Sequence, residues 1–176
     1  FTFDKEQSLT LDSDSISGVQ GMVFDGAVAY LARSGKISKG ALVVTVTRNP
    51  RGIAFQRETG GTEVLWTLVD GDPKDKLLKL NAGDGSLITA FGSSGGVDAP
   101  GAKTEGIAFG ASKLWIVAND DDGRKLFKVN PTNGSVQETF NLSAYPGGFV
   151  YEDVGGVDWD GTNLVLYASG GNRLWV

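Results

Sequence analysis

The chain has 176 residues, of which 40% are hydrophobic and 21% charged, a composition typical of a folded globular domain rather than a disordered one. It contains no cysteine and no histidine, which excludes disulfides, thiolate catalysis, zinc sites built from those side chains and the commonest general base. The net charge is −5 and the isoelectric point is near 4.7, so the basic surface needed for nucleic acid binding is missing and we predict no nucleic acid partner.

A four-residue motif recurs along the chain: a glycine, a small apolar residue, any residue and an aromatic residue. Its copies lie at 21–24, 52–55, 106–109 and 156–159. The steps from Gly52 to Gly106 and from Gly106 to Gly156 are 54 and 50 residues, which match the period of a β-propeller blade. The step from Gly21 to Gly52 is only 31 residues.

Apolar and alternating segments follow each motif and predict strands. Second strands are expected at 28–33, 64–69, 114–119 and 164–169, and third strands at 76–80 and 125–129. Asp-Gly and Asn-Gly turns follow the third strands and favour tight hairpins, after which fourth strands end at Phe91 and Phe140. A complete unit is therefore a four-stranded meander, and we expect almost no helix. The first copy runs directly into the second motif through 48–51, so we expect its outermost strand to be missing or supplied from elsewhere.

The predicted blades form one domain or segment, with boundaries near 16–50, 51–92, 104–143 and 153–176. Residues 1–9 resemble a fourth strand and would complete the last blade, since 172–176 resemble a third strand without its hairpin. Two arrangements remain open. The two ends close a four-bladed ring, or the blades belong to a larger ring completed by further blades or by another copy. We favour the second arrangement because larger rings are commoner.

The third and fourth copies resemble a bacterial β-propeller superfamily that includes NHL-repeat, gluconolactonase-like, phytase-like and SdiA-regulated proteins. The resemblance rests on EGIAF at 105–109, LWIV at 114–117, KVNP at 128–131 and WDGTNL at 159–164, and it extends over most of 16–176. It implies an all-β propeller of four-stranded antiparallel blades, about four of which are present. It implies little about function, because this superfamily contains both enzymes and binding scaffolds.

The residue before each motif glycine is expected to approach the central channel. These residues are Gln20, Arg51, Glu105 and Gly155, and the first three could bind a polar ligand or a cation. In gluconolactonase-like and phytase-like proteins, acidic residues around the channel hold calcium or another divalent ion, and the resemblance implies that role only for Glu105. Glu152 and Asp153, ahead of the last motif, are further candidates for lining the channel. The favoured alternative is an Arg51–Glu105 ion pair in a wet channel.

Asp120 and Asp122 are weak candidates for metal ligands. They lie in an acidic segment at 119–123 that resembles a calcium loop, in which aspartates alternate with spacers before a glycine. The next ligand position is Ala118, which has no side-chain oxygen, so a solvated acidic turn is the favoured alternative. Calcium is the one cofactor considered, and no catalytic residue is assigned.

The leading hypothesis is a non-enzymatic, exported scaffold with a structural or binding role and a protein or carbohydrate partner. We expect an extracellular, cell-surface or periplasmic location. This hypothesis rests on a clear repeat without an assembled catalytic constellation. The alternative is a divalent-metal-assisted hydrolase or lactonase of the phytase-like or gluconolactonase-like kind. No segment is long and apolar enough to predict a transmembrane helix, and a homo-oligomer or blades from another chain would complete the ring.

Overall fold

The computed structural model describes residues 19–24, 29–33, 36–39, 42–45, 48–92, 96–144, 153–168 and 173–176. Within these ranges the chain is built from β-strands, and the helical content is one short 3-10 helix, Leu142–Ala144. None of the described segments forms a helix of the length and apolarity needed to cross a membrane.

The strands form four antiparallel sheets in which neighbours along the chain are neighbours in the sheet. The first sheet contains β1 (Val19–Phe24), β2 (Ala29–Arg33), β3 (Lys36–Lys39) and β4 (Leu42–Thr45). The second contains β5 (Pro50–Arg57), β6 (Glu63–Val69), β7 (Lys76–Asn81) and β8 (Val97–Asp98). The third contains β9 (Thr104–Gly110), β10 (Lys113–Asp120), β11 (Gly123–Val129) and β12 (Val136–Asn141). The fourth contains β13 (Val154–Trp159), β14 (Leu164–Ala168) and β15 (Arg173–Trp175). We refer to these sheets as blades 1 to 4.

The first strand of each blade is its inner strand and carries the glycine motif. The inner strands β1, β5, β9 and β13 contact one another in chain order, so the blades are arranged around a common centre. Four-stranded antiparallel meanders placed side by side around their inner strands are the architecture of a β-propeller. The fold class predicted from the sequence is therefore confirmed.

Two strand predictions are wrong. Blade 1 does not lack its outermost strand, because β3 and β4 have only four residues each and a full meander fits into the short step between the first two glycines. In blade 2 the fourth strand is β8, paired with β7, rather than a segment ending at Phe91. Phe91 is instead buried, with its ring edge-on to Trp66 at a centroid distance of 4.8 Å. Its side chain thus packs in the core between blades.

Apolar side chains on facing sheets form the core in layers between successive blades. Between blades 2 and 3, Trp66 and Leu68 on β6 lie in one buried cluster with Leu114 and Ile116 on β10. Trp66 is fully buried and its indole Nε1 donates a hydrogen bond to Gln56 Oε1 at 2.8 Å. This tryptophan therefore packs between blades 2 and 3, and smaller clusters join blades 1 and 2 and blades 3 and 4.

The motif glycines set the distance between inner strands. A Cβ on Gly21 would lie 3.1 Å from the Gly52 Cα, and one on Gly52 would lie 3.3 Å from the Gly106 Cα. The contact from Gly106 to Gly156 is tighter still, with 2.9 Å to the Cα and 3.0 Å to the Val157 nitrogen. Apart from the Ile107 Cγ2 near Gly52, the obstructing atoms are backbone atoms, so a side chain at these positions would force the blades apart.

We predict that Gly106→Ala lowers the free energy of unfolding by about 1–3 kcal/mol, the usual cost of inserting a methyl group into a packed interior. Gly156→Ala is the matched control, because a Cβ there meets no atom within 4 Å. Urea unfolding of both variants at low protein concentration measures the difference. Equal destabilisation by the two substitutions would contradict the proposed role of the inner-strand contact.

Candidate functional site

Each inner strand contains a β-bulge directly before its motif glycine. In β5 the pairing with β6 skips one residue between Pro50 and Gly52, which leaves Arg51 as the extra residue. Equivalent register shifts occur in the other three inner strands. Bulges break the regular alternation of a strand and redirect the extra side chain. The bulge residues are the four that the sequence singled out: Gln20, Arg51, Glu105 and Gly155.

Arg51 pairs with an aspartate that the sequence analysis did not assign to the site. Its Nε donates a hydrogen bond to Asp70 Oδ1 at 2.5 Å, whereas its Nη1 lies 4.0 Å from Glu105 Oε1. The hydrogen bond to Asp70 is the main reason that the pKa of Arg51 is raised. The predicted Arg51–Glu105 pair is therefore present only as a long contact. Asp70 directly follows β6 and lies across the β5–β6 ladder from the bulge. This position at the end of the second strand is the one feature of the sequence that could have identified it.

Glu105 is a half-buried carboxylate. Removal from water raises its pKa, and the nearby charges of Asp153 and Asp75 act in the same direction. Arg51 and a hydrogen bond with Asn119 oppose the shift without cancelling it. Glu105 is thus held in surroundings that disfavour its negative charge.

Asn119, also missed by the sequence analysis, connects blade 3 to blade 4 next to Glu105. Its Nδ2 donates to the Val154 carbonyl at 3.0 Å, and its Oδ1 accepts the Val154 amide at 2.9 Å. A side chain that satisfies both backbone groups of one residue is held in a single orientation. Asn119 therefore presents a fixed amide beside Glu105.

Asp153 lies directly before β13 and forms an ion pair with Arg124 on β11. The sequence predicts that Asp153 and Glu152 both line the channel, but Glu152 lies outside the described residues. For Gln20 the structure describes only its place in β1. We define the channel mouth as the surface formed by Arg51, Asp70, Glu105, Asn119 and Asp153.

Asp120 and Asp122, the predicted metal ligands, are engaged by other groups. Both carboxylate oxygens of Asp122 accept hydrogen bonds from Lys125 Nζ at 2.7 Å, and this contact lowers the pKa of Asp122. Asp120 accepts the Ala102 amide at 2.7 Å and lies 3.6 Å from the same Lys125 nitrogen. In the part of the chain that the structure describes, no three acidic side chains are grouped as metal ligands. A calcium site at Asp120 and Asp122 stays a prediction.

A cleft of about 400 Å³ lies between the four inner strands. Its walls are formed by the motif residues that follow each glycine, among them Ile53, Phe55, Ile107 and Phe109, but most of the surface that they expose to the cleft is polar. Asp158, in the last motif, is the charged residue of this lining. The residues that line this cleft are different from those of the channel mouth.

Solved structures resemble this arrangement, although no protein-family model and no curated protein matches the chain. A crystal structure of BBS1N in complex with ARL6DN is 15% identical, with a TM-score of 0.53, over 84% of this chain and 45% of that chain. A crystal structure of a nidogen/laminin complex is 16% identical, with a TM-score of 0.53, over 89% of this chain and 74% of that chain. These chains are β-propellers, and the likeness shows the fold alone.

The four blades are therefore those of a β-propeller, in an arrangement consistent with part of a propeller ring. The chain spans less than half of the first matched chain and about three quarters of the second. Neither similarity extends to the narrower NHL-repeat or gluconolactonase-like family.

We predict that Glu105→Gln changes how stability depends on pH. The pKa of Glu105 is raised in the folded protein above its ordinary value of 4.5, so the folded state keeps this proton after the unfolded chain has lost it. The parent must then lose stability as the pH rises from the ordinary pKa of Glu105 through its raised pKa in the folded protein. Glu105→Gln removes this loss, so the variant gains stability relative to the parent between acidic and neutral pH.

Urea unfolding midpoints across that pH range provide the measurement. Glu138→Gln is the control, because it makes the same chemical change on the exposed outer strand β12. Glu138 contacts Lys128 at 3.4 Å, so this control also shows what the loss of an exposed ion pair costs. A constant difference between Glu105→Gln and the parent at all pH values would contradict the prediction.

Proposed function

We propose that the chain is a non-enzymatic protein-binding scaffold, exported from the cytoplasm, whose channel mouth receives a cationic side chain of its partner. The observation that carries this proposal is Glu105, a half-buried carboxylate displayed by a bulge on an inner strand. A rigid sheet holds the side chain, so little entropy is lost when a partner binds.

The distribution of charge at the channel mouth supports a cationic ligand. Asp70 has Arg51 at 2.5 Å, and Asp153 has Arg124 as a close ion-pair partner. Among the residues that the structure describes, the cation paired with Glu105 is Arg51 at 4.0 Å, and Arg51 is already bound by Asp70. A partly desolvated carboxylate in this situation gains more from a new lysine or arginine than its neighbours would.

The similar structures favour a protein partner over other ligands. Both were solved as complexes with proteins, one with ARL6DN and the other of nidogen with laminin. Those partners belong to those proteins, and we carry over only the general idea that a propeller face binds another protein. The acidic composition, with an isoelectric point near 4.7, suits a solvated surface outside the cell and supports the proposal of export.

We predict that peptides selected on the folded chain from a phage-displayed random library will be enriched in lysine or arginine. Their affinity should fall at least about tenfold on Glu105→Gln, which corresponds to the loss of one charge-assisted hydrogen bond of roughly 1.5–3 kcal/mol. Fluorescence polarisation with the synthetic peptides measures this. Glu138→Gln should bind as the parent does. Selected peptides that bind the Glu105 variant as tightly as the parent would refute the assignment of the channel mouth.

A divalent-metal-assisted hydrolase or lactonase of the phytase-like or gluconolactonase-like kind is the second candidate. The observation in its favour is that Asp75 and Asp153 lie close enough to Glu105 to raise its pKa. Carboxylates that repel one another in this way can be relieved by a cation as well as by a proton. Asp75, however, is buried and accepts hydrogen bonds from the Thr104 amide and hydroxyl at 3.1 and 2.7 Å, which leaves it little capacity for a metal.

A calcium titration separates the two candidates. For the scaffold we predict that millimolar calcium leaves the melting temperature unchanged, in the parent and in Glu105→Ala alike. For the hydrolase, calcium should raise the melting temperature of the parent, because a ligand that binds only the folded state stabilises it. That rise should disappear in Glu105→Ala, and a saturable rise with one calcium per chain would favour the hydrolase over the scaffold.

A further inference from the structure

A pocket of about 330 Å³ lies between blades 2 and 3, and we call it the interblade pocket. It opens near the end of β5 that is opposite the bulge, and it shares no residue with the channel mouth. Its volume suits one small molecule. Polar side chains of blade 2 and apolar side chains of both blades line it, among them Gln56, Glu58, Lys79, Ile88, Phe91 and Pro131.

The apolar wall of the interblade pocket is held in place by contacts between the two blades. Pro131 lies in the turn between β11 and β12, where Asn130 Oδ1 accepts the Thr132 amide at 2.8 Å. The same turn packs so closely on blade 2 that a Cβ on Gly134 would lie 3.2 Å from Phe91 Cζ. A wall that is already formed loses little entropy when a ligand enters.

Gln56 brings hydrogen-bond donors to the pocket. Its Oε1 accepts the indole Nε1–H of Trp66 at 2.8 Å, which fixes the orientation of the amide. The amide nitrogen Nε2 carries two donors, and among the described residues it has no acceptor. A ligand with an acceptor oxygen would therefore satisfy a group that the protein itself does not.

Lys79 and Glu58 form an ion pair in the pocket wall. Lys79 Nζ lies 2.5 Å from Glu58 Oε1, and the two side chains are only 14% and 33% exposed, so the pair is partly removed from water. Because the two charges offset each other, an uncharged ligand can bind here without leaving either charge unpaired. Among the described residues Glu58 Oε2 has no donor, and it can accept a hydrogen bond from a hydroxyl group.

Comparison with blade 3 shows that the lysine belongs to the general packing of the blades. Lys79 pairs with Trp66 across the β6–β7 ladder, and Lys128 pairs with Trp115 at the equivalent place. Each ammonium group lies over the indole ring of its tryptophan, at 5.1 and 5.8 Å from the ring centroid. A lysine on a tryptophan face is therefore part of the repeat and is explained by cation–π packing.

The amide and the carboxylate are not part of that repeat. In blade 3 the positions of Gln56 and Glu58 are occupied by Gly110 and Ser112. A Cβ on Gly110 would lie 2.1 Å from Trp159 Cγ, so in blade 3 the Trp159 ring fills the place of a side chain at this position. Blade packing thus does not require Gln56 and Glu58, and their presence around one pocket points to a ligand.

We propose that the interblade pocket binds one uncharged sugar ring. Neighbouring hydroxyl groups of a pyranose can each donate and accept a hydrogen bond. One hydroxyl would donate to Glu58 Oε2, and the hydroxyls beside it would accept from Gln56 Nε2 and Lys79 Nζ. The C–H face of the ring would rest on Ile88 and Pro131. The site is separate from the channel mouth, so it does not depend on the proposed function.

A nuclear magnetic resonance titration of the ¹⁵N-labelled 176-residue chain tests the proposal. The probes are the methyl glycosides of D-glucose, D-galactose and D-mannose. At least one should shift the indole Nε1–H resonance of Trp66, because the acceptor of this group, Gln56, contacts the sugar. Trp115 is the internal control and should shift much less. L-Leucine, a zwitterion without hydroxyl groups, should leave both resonances unchanged.

Two variants preserve the shape of the pocket and change its hydrogen bonds. Glu58→Gln replaces the carboxylate, and Gln56→Glu removes the two donors but keeps an acceptor for the Trp66 indole. Each should raise the dissociation constant for the bound glycoside by at least about tenfold. Glu138→Gln is the matched control, because it makes the same change beside Lys128, the equivalent of Lys79. It should bind as the parent does.

Three results would overturn the proposal: no shift with any of the three glycosides, a shift with L-leucine alone, or glycoside binding that survives both pocket variants. The indole spectrum of each variant without ligand shows whether it retains the parent fold. Peptide binding at the channel mouth should be the same in both pocket variants and the parent, so the failure of either proposal leaves the other standing.

Discussion

The close approach of inner strands at the motif glycines is the constraint on which the rest of this structure depends. Contacts of about 3 Å between a hypothetical Cβ and the next backbone leave room for hydrogen only. Because the inner strands are pinned close together, the outer strands diverge, and the widening gap between sheets must be filled by larger side chains. Trp66, Phe91 and Phe127 provide that volume between blades 2 and 3. The glycine motif and the aromatic core are thus two consequences of the same wedge-shaped geometry.

The bulge before each glycine connects this packing rule to the candidate site. A regular strand would direct the residue before the glycine to the face opposite the glycine itself, into an interblade layer. The extra residue shifts the register, so a charged side chain can leave the layer while the glycine keeps its contact. Arg51 and Glu105 can therefore vary in charge without disturbing the core. The glycine fixes the contact between inner strands, and the adjacent bulge position can carry a charge.

Much of the fold was predictable from the sequence because the repeat consists of residue types with strong conformational preferences. The glycine motif, the Asp-Gly and Asn-Gly turns and the alternating third strands identify four-stranded blades. The two errors arose where that signal was absent. β4 consists of Leu42–Thr45 in a blade of short strands. The 31-residue step between the first two motif glycines therefore showed no obvious hairpin before this strand. β8 is only two residues long, and Phe91 resembled a strand end although its ring serves the core.

The site was less predictable, because its key contacts join residues that are distant in the chain. Asp70 meets Arg51 across the β5–β6 ladder, and Asn119 meets Val154 across the gap between blades 3 and 4. Neither residue carries a motif of its own, since each lies at a strand end where acidic and amide side chains are common turn formers. The sequence could identify the bulge positions from their place in the repeat. It could not show that Arg51 pairs closely with Asp70. Because of that pairing, Glu105 has only a long contact with Arg51.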